Sequence, residues 1–212
     1  MKDWDRLTSD AAALRTDSIR VGGLRGRAID VALKMVEARG AEAINLRDLA
    51  GELGTGPASL YYHFANKDAL MAELAVEGFG RLRAAFAAAL ADPRGRSPLH
   101  ACGDAYLRFA RTQPRLYRVM YAERLLTTYP VARDAEAAAF ATFAAGISPG
   151  EASDATLADR AMALWAFGRG VAALSLSAAD GDGPPSRELS RQIVRGLESL
   201  MGQSLRGASS TN

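Results

Sequence analysis

Between Leu46 and Leu70 apolar side chains recur at intervals of three and four and are interrupted at glycine and proline. This pattern predicts two short helices joined by a tight turn and followed at once by a third. Leu46, Leu49, Ala50 and Leu53 fall at i, i+3, i+4 and i+7, so one stripe is apolar while Arg47, Asp48 and Glu52 face away from it. Gly54 suits the left-handed residue that commonly follows a helix end, and Pro57 suits the first position of the next helix, with Gly56 before it as N-cap. In that next helix Leu60 and Phe64 are predicted to pack inward, which leaves Ser59, Tyr61, Tyr62 and His63 on the remaining surface. Asn66 then caps a third helix, with Asp68 in its first turn where the helix dipole favours negative charge. Two helices joined by a short Gly-containing turn are the cue of a helix-turn-helix, whose second helix enters the DNA major groove. The same spacing also fits a plain helical hairpin inside a larger bundle.

Around this segment the helical period continues. Ile29, Leu33 and Val36 make the apolar face of a helix from Leu24 to Ala38, expected to pack across the pair. Leu70, Leu74, Leu82, Phe86 and Leu90 predict a long linking helix to Leu90. After Asp92-Pro93, a helix with Leu99, Cys102, Tyr106 and Phe109 ends before Pro114, which starts another containing Leu116, Val119, Met120 and Leu125. Pro130 opens an Ala-rich helix through Phe140 and Phe143, halted by Gly146 and the Ser148-Pro149-Gly150 turn. Leu157, Ala161, Leu164, Trp165, Gly168 and Ala172 line the next helix, Asp180 to Pro185 is a loop, and Leu189, Ile193, Leu197 and Leu200 line the last. No strand pattern alternates, so the expected fold is all-α with about nine helices. The expected division is a flexible leader over 1–22, a three-helix DNA-binding domain over 23–69, a larger effector-binding and dimerisation domain over 70–205, and a tail over 206–212. Arg15 and Arg20 in the leader suit either a backbone or minor-groove contact or a tail without function.

Composition narrows the function. At 212 residues and 49% hydrophobic content the chain has enough apolar surface for a buried core. No apolar run is long enough to span a bilayer and the polar start, MKDWDRLTSD, is unlike a signal peptide, so the expectation is a cytoplasmic protein without a membrane partner. A single cysteine, Cys102, permits no internal disulfide, zinc site or redox pair, and reads as core packing. The net charge of +2 is small for a nucleic-acid binder, but Arg15 to Arg47 holds seven basic residues against four acidic. Such a balance suits a few placed phosphate contacts plus dimerisation. Chemistry for an enzyme is thin: His100 and Cys102 point to different helix faces, and Gly22-Gly23-Leu24-Arg25-Gly26 lacks the strand that a phosphate-cradling loop needs. No catalytic residue, metal or cofactor is expected.

From about Arg25 to Leu74 the chain resembles the DNA-binding domain of the tetracycline-repressor (TetR) family. The matching parts are Asn45-Leu46, Ala50 to Gly54, Leu60-Tyr61-Tyr62-His63-Phe64 and Lys67-Asp68-Ala69-Leu70. Asn45 stands where the family usually has Thr, and both residues cap helices. Thr55-Gly56-Pro57 replaces the more usual Val-Ser-(Lys/Arg/Pro), which removes a capping hydroxyl. Ala101 to Leu126, with Phe109-Ala110, Pro114, Tyr117-Arg118 and Met120, resembles the start of the C-terminal domain in a branch named for a Trp-His-Gly motif. In that motif's place stands Trp165-Ala166-Phe167-Gly168-Arg169-Gly170, with Arg169 for the His.

The resemblance implies a transcriptional regulator, a repressor released from a palindromic double-stranded DNA operator by a small-molecule effector. Arg47 matches a position that reaches a base edge, where a guanidinium suits guanine O6 and N7. Tyr61, Tyr62 and His63 match positions that contact phosphates and thymine methyls, Thr55 and Ser59 offer hydroxyls, and Lys67 would meet a phosphate at the groove edge. The family forms homodimers through its last two long helices, here Leu157 to Leu176 and Leu189 to Leu205, with Ala161, Gly168, Ala172, Ile193, Leu197 and Leu200 as interface candidates; the same stripe also suits the monomer's own core, and both hold together if each helix uses two faces. Phe86, Tyr106, Phe109, Tyr117, Met120, Tyr121, Phe140, Phe143 and Trp165 are candidates to line an effector pocket. Arg108, Arg111, Arg118 and Arg124 suit either an acidic effector or solvent. Two other classes compete: a helical adaptor that binds only protein, which leaves Tyr61, Tyr62, His63 and Lys67 without a task, and a small helical enzyme.

Overall fold

The computed structural model describes residues 23–147, 155–177, 191–193 and 195–196. Among the described residues all regular structure is helical. The leader, the Ser148-Pro149-Gly150 turn, the loop from Asp180 to Pro185, Leu197, Leu200 and the tail lie outside the described residues. The helices are α1 (23–39), α2 (Leu46–Glu52), α3 (Pro57–His63), α4 (Lys67–Ala91), α5 (Pro98–Thr112), α6 (Pro114–Met120), α7 (Glu123–Thr128), α8 (Pro130–Ile147) and α9 (Ala155–Ser177). No helix among the described residues is long and apolar enough to cross a membrane.

By packing, the chain divides into two units. One comprises residues through Glu77 together with Arg118–Arg133, and the other comprises Gly78–Tyr117 together with Asp134 onward. Sequence periodicity places a domain boundary at 69/70 and assigns 118–133 to the second domain. Packing instead groups 118–133 with the N-terminal helices, because Leu125 is buried there and α7 bonds to the start of α4.

In the first unit, Ala28, Ala32, Leu33, Met35 and Val36 of α1 are buried while Ile29 is half-exposed. The inward face is therefore rotated from the predicted one, with small alanines admitting close approach. α1 is tied to its neighbours by Arg25 to Glu73 at 2.6 Å and Arg39 to Glu52 at 3.2 Å. Exposed pairs of this kind contribute at most about 1 kcal/mol each, so the buried apolar groups carry the assembly.

The second unit is keyed by rings. Phe86 of α4 stacks on Tyr106 of α5 at 6.3 Å, and Trp165 of α9 meets Phe86, Tyr106, Phe140 and Phe143 at 5.6–6.1 Å. Tyr117 shares a hydroxyl–hydroxyl bond of 3.1 Å with Tyr106. Desolvation by burial is the main reason its phenol is held above the ordinary value. Ser97 caps α5 by accepting from the His100 N–H. One predicted helix divides: the run from Pro114 to Leu125 breaks at Tyr121-Ala122, and α7 starts anew from Ala122, whose carbonyl accepts from Leu125 and Leu126. Neither Gly nor Pro marks that break. At the other end, α8 runs through Gly146 to Ile147 instead of halting at the glycine.

Cys102 is buried, which pushes its thiol from 9.0 up to about 11. The native chain thus keeps a proton that the unfolded chain releases. Its contribution to stability stands below pH 9.0 and is lost as pH rises toward about 11. A disulfide thiol reagent at neutral pH should leave the native chain unmodified and react with its single thiol only in denaturant; rapid labelling of the folded chain would contradict the buried placement. Asn45→Ala should lower stability by about 1 kcal/mol in urea unfolding, because Asn45 accepts from the Asp48 N–H at 2.8 Å.

Candidate nucleic-acid interface

The turn between α2 and α3 is built from local signals. Gly54 has φ of +64°, a conformation that costs glycine little. Around it the Thr55 N–H reaches the Ala50 carbonyl at 3.0 Å and the Gly54 N–H reaches Gly51 at 3.1 Å, the paired bonds of a Schellman cap. Gly56, extended, is the N-cap of α3 and Pro57 its first residue. At only seven residues neither α2 nor α3 would persist alone, so their burial in the unit holds them. Leu46, Leu49 and Ala50 of α2, Leu60 of α3 and Phe64 just after it are buried, as their spacing predicts, while Leu53 is only partly covered.

With Leu60 and Phe64 turned inward, the rest of α3 faces solvent. Tyr62 is 81% and Tyr61 50% exposed, Ser59 is exposed, and His63 is half-buried with its ring edge-on to Tyr62 at 5.3 Å. Arg47 is exposed, and among the described residues its guanidinium has no partner. Thr55 is partly exposed in the turn. All six belong to one unit and lie along α2, the turn and α3. Lys67 is half-buried at the start of α4. Its ammonium donates to the Glu42 carbonyl at 2.9 Å, fastening the start of α4 to the loop before α2. Two of its three donors remain for an outside acceptor.

The start of α4 gathers further bonds, of which the Asn66 cap is predicted by sequence and the Tyr129 and Arg124 contacts are not. Asn66 Oδ1 accepts from the Ala69 N–H at 2.8 Å and from the Tyr129 hydroxyl at 3.2 Å, and Arg124 pairs with Asp68 at 2.8 Å. Arg124 is thus bound to the helix-turn-helix unit. Arg118 lies in the same unit.

The candidate effector residues fall in two places. Met120 and Tyr121 belong to the first unit, while the other seven belong to the second. There Phe86, Tyr106, Tyr117, Phe140, Phe143 and Trp165 pack ring against ring, and Phe109 is buried on the same helix as Tyr106. Arg169 pairs with Glu136 at 3.3 Å, and the Tyr117 hydroxyl reaches its carbonyl at 3.5 Å. Among the dimer candidates, Ala161 and Ala172 are buried within the chain, Gly168 lies against the Tyr106 ring, and Ile193 is partly covered. The exposed apolar face of α9 is a different one, formed by Met162 (52%), Ala163, Ala166, Ala173 and Leu174 (57%). Among the described residues no group of three or more His, Cys, Asp or Glu is placed to hold a metal ion.

Comparison with known proteins gives a consistent result. Residues 28–74 match the family described as bacterial regulatory proteins, tetR family, and residues 99–197 match the tetracyclin repressor-like C-terminal domain. Over 100 residues, 47% of this chain, it is 30% identical to the uncharacterized HTH-type transcriptional regulator YobS of Bacillus subtilis (strain 168). That stretch spans 52%, about half, of the relative's length. A protein of unknown function from Rhodococcus sp. RHA1 is similar over 82% of this chain and 94% of its own, with 26% identity and a TM-score of 0.65. A bacterial regulatory protein in the tetR family from Rhodococcus RHA1 shares the fold over 82% of this chain and 95% of its own, with 22% identity and a TM-score of 0.56. With a helix-turn-helix head and a helical second unit that both match, the chain belongs to the tetR family of bacterial regulatory proteins.

Proposed function

We propose that the protein is a sequence-specific, DNA-binding transcriptional regulator, a homodimeric repressor that acts in the cytoplasm and is released from its operator by a small-molecule effector. The observation that carries this reading is the exposed face of α3: two adjacent tyrosines held out in solvent by a helix whose only buried members are Leu60 and the residue that ends it, Phe64. Such exposure adds nothing to folding, whereas ring faces and phenols suit thymine methyls and phosphates. Arg47, without a partner among the described residues, is the candidate base reader, and Thr55, Ser59, His63 and Lys67 the candidate phosphate contacts. Because Pro57 and Ala58 offer only apolar surface, groove shape contributes to recognition.

One head of this size binds weakly, so two are expected on a near-palindrome with half-sites about one helical turn apart. The exposed apolar face of α9 supports a second copy as the partner. Met162, Ala166 and Leu174 share it at helical spacing, and a monomer gains nothing by exposing them. The candidate face is therefore shifted around α9 from Ala161 and Ala172, which the chain's own core occupies. The two residues that an enzyme reading would use lie apart from such a task among the described residues. His100 is an exposed residue bonded to Ser97 at the start of α5, and Cys102 is an inert buried thiol.

Near-palindromic duplexes selected in vitro on the full chain test the DNA assignment. Arg47→Ala and Tyr62→Ala should each weaken the selected duplex by about 1–3 kcal/mol, with Arg47→Ala also relaxing preference at one base position, while helicity and dimer mass stay unchanged. Binding unaffected by both changes would remove the proposed face. Met162→Glu combined with Leu174→Glu should halve the mass in sedimentation equilibrium without loss of helicity; a dimer that survives them would move the interface elsewhere.

A further inference from the structure

Between the second half of α4, the 92–96 loop and α5 lies an open groove of about 420 Å³, wholly within the second unit and apart from the ring cluster except for Phe109. Its floor is apolar and smooth, made by Ala85, Ala88 and Ala89 of α4 with Ala101, Ala105 and Phe109 of α5. Its polar groups are mostly guanidiniums. Arg94 and Arg96 stand on the loop, and Arg81 and Arg108 on the helices.

These arginines are not equivalent. Arg94 pairs with Asp92 at 3.3 Å, and Arg96 pairs with Asp104, so the loop cations are neutralised within the chain. Arg108 is exposed, lines the groove, and has no side-chain partner among the described residues. On the same helix, Thr112 follows Arg108 by one turn, its hydroxyl bonded to the Arg108 carbonyl at 2.9 Å. Gln113 takes a bond from Arg81 on its amide oxygen at 3.2 Å, and its amide N–H groups have no acceptor among the described residues. The groove thus offers uncompensated positive charge at Arg108, with Gln113 N–H donors near Arg81, and an uncharged alanine floor.

We infer that this groove binds an organic monocarboxylate with an unbranched apolar body, its carboxylate held by Arg108 and Gln113 and its body laid along the alanines. The chemistry selects this class. A planar guanidinium takes a carboxylate through two parallel bonds, and Gln113 can add a third donor. A dicarboxylate's second charge would meet Arg94 and Arg96, which Asp92 and Asp104 already satisfy. A cation would be repelled, and a branched or bulky body would not lie flat on closely spaced alanines. The volume falls within the range of small-molecule sites. Calling the ligand an effector rests on the regulator reading above; the binding site itself does not.

Calorimetry on the full chain without DNA tests the site, using octanoate as probe and octanol, octylammonium and inorganic phosphate as comparisons. Octanoate should bind one to one, at least tenfold tighter than the other three. Arg108→Gln, at an exposed position, should weaken octanoate about tenfold and leave the melting temperature unchanged. Ala88→Leu, which fills the floor from an exposed position, should abolish binding. Equal binding of octanol would overturn the carboxylate assignment, and equal binding of phosphate would overturn the apolar floor. Octanoate binding indifferent to both variants, or none to the folded chain, would overturn the site. Octanoate is then added to the protein–duplex complex. Binding that leaves the duplex bound would overturn the effector role while the site stands.

Discussion

Burial of Leu60 and Phe64 is the constraint on which the head depends. A seven-residue helix is too short to hold itself together, so α3 exists only because Leu60 and the adjoining Phe64 enter the core of the first unit and fix both its position and its rotation. Once those two are inside, Tyr61 and Tyr62 have nowhere to go but outward. The buried anchors and the exposed tyrosines are therefore written into neighbouring positions of one short stretch. A shift of register would expose the first and bury the second.

What surrounds α3 serves to keep that rotation. The Schellman bonds around Gly54 and the proline at the helix start leave the turn little freedom. Lys67 reaches the Glu42 carbonyl, so a side chain suited to phosphate also braces the α4 start against the loop before α2. The Asn66 cap is shared with the Tyr129 hydroxyl, and Arg124 meets Asp68 beside it. Both of these bonds are exposed, hence individually weak and open to screening by salt. Leu125 of α7, by contrast, is buried.

Legibility in the sequence followed the range of the forces involved. The α2–turn–α3 segment was readable because each of its signals is local: a glycine that must be left-handed, a proline that must begin a helix, a period that turns Leu60 inward. The break at Tyr121-Ala122 was not, since neither Gly nor Pro stands there to signal it. Ile29 also misled. It is a bulky apolar residue early in α1, yet Ala28 and Ala32 take the interior positions. In α9 the small residues Ala161 and Ala172 suit by spacing either a partner surface or the chain's own core, and both are buried within the chain. The groove beside α5 was illegible altogether, because alanines and arginines from two helices and a loop look, in sequence, like an ordinary solvated face.

The ring cluster carries a mechanical consequence. Phe86, Tyr106, Phe143 and Trp165 come from four separate helices and touch one another directly, with interiors of this density yielding little to compression. A push against any of these helices is handed on at once to the other three. The second unit should thus respond to a load as a keyed block, tilting as a whole where a softer aliphatic centre would absorb the displacement by flexing.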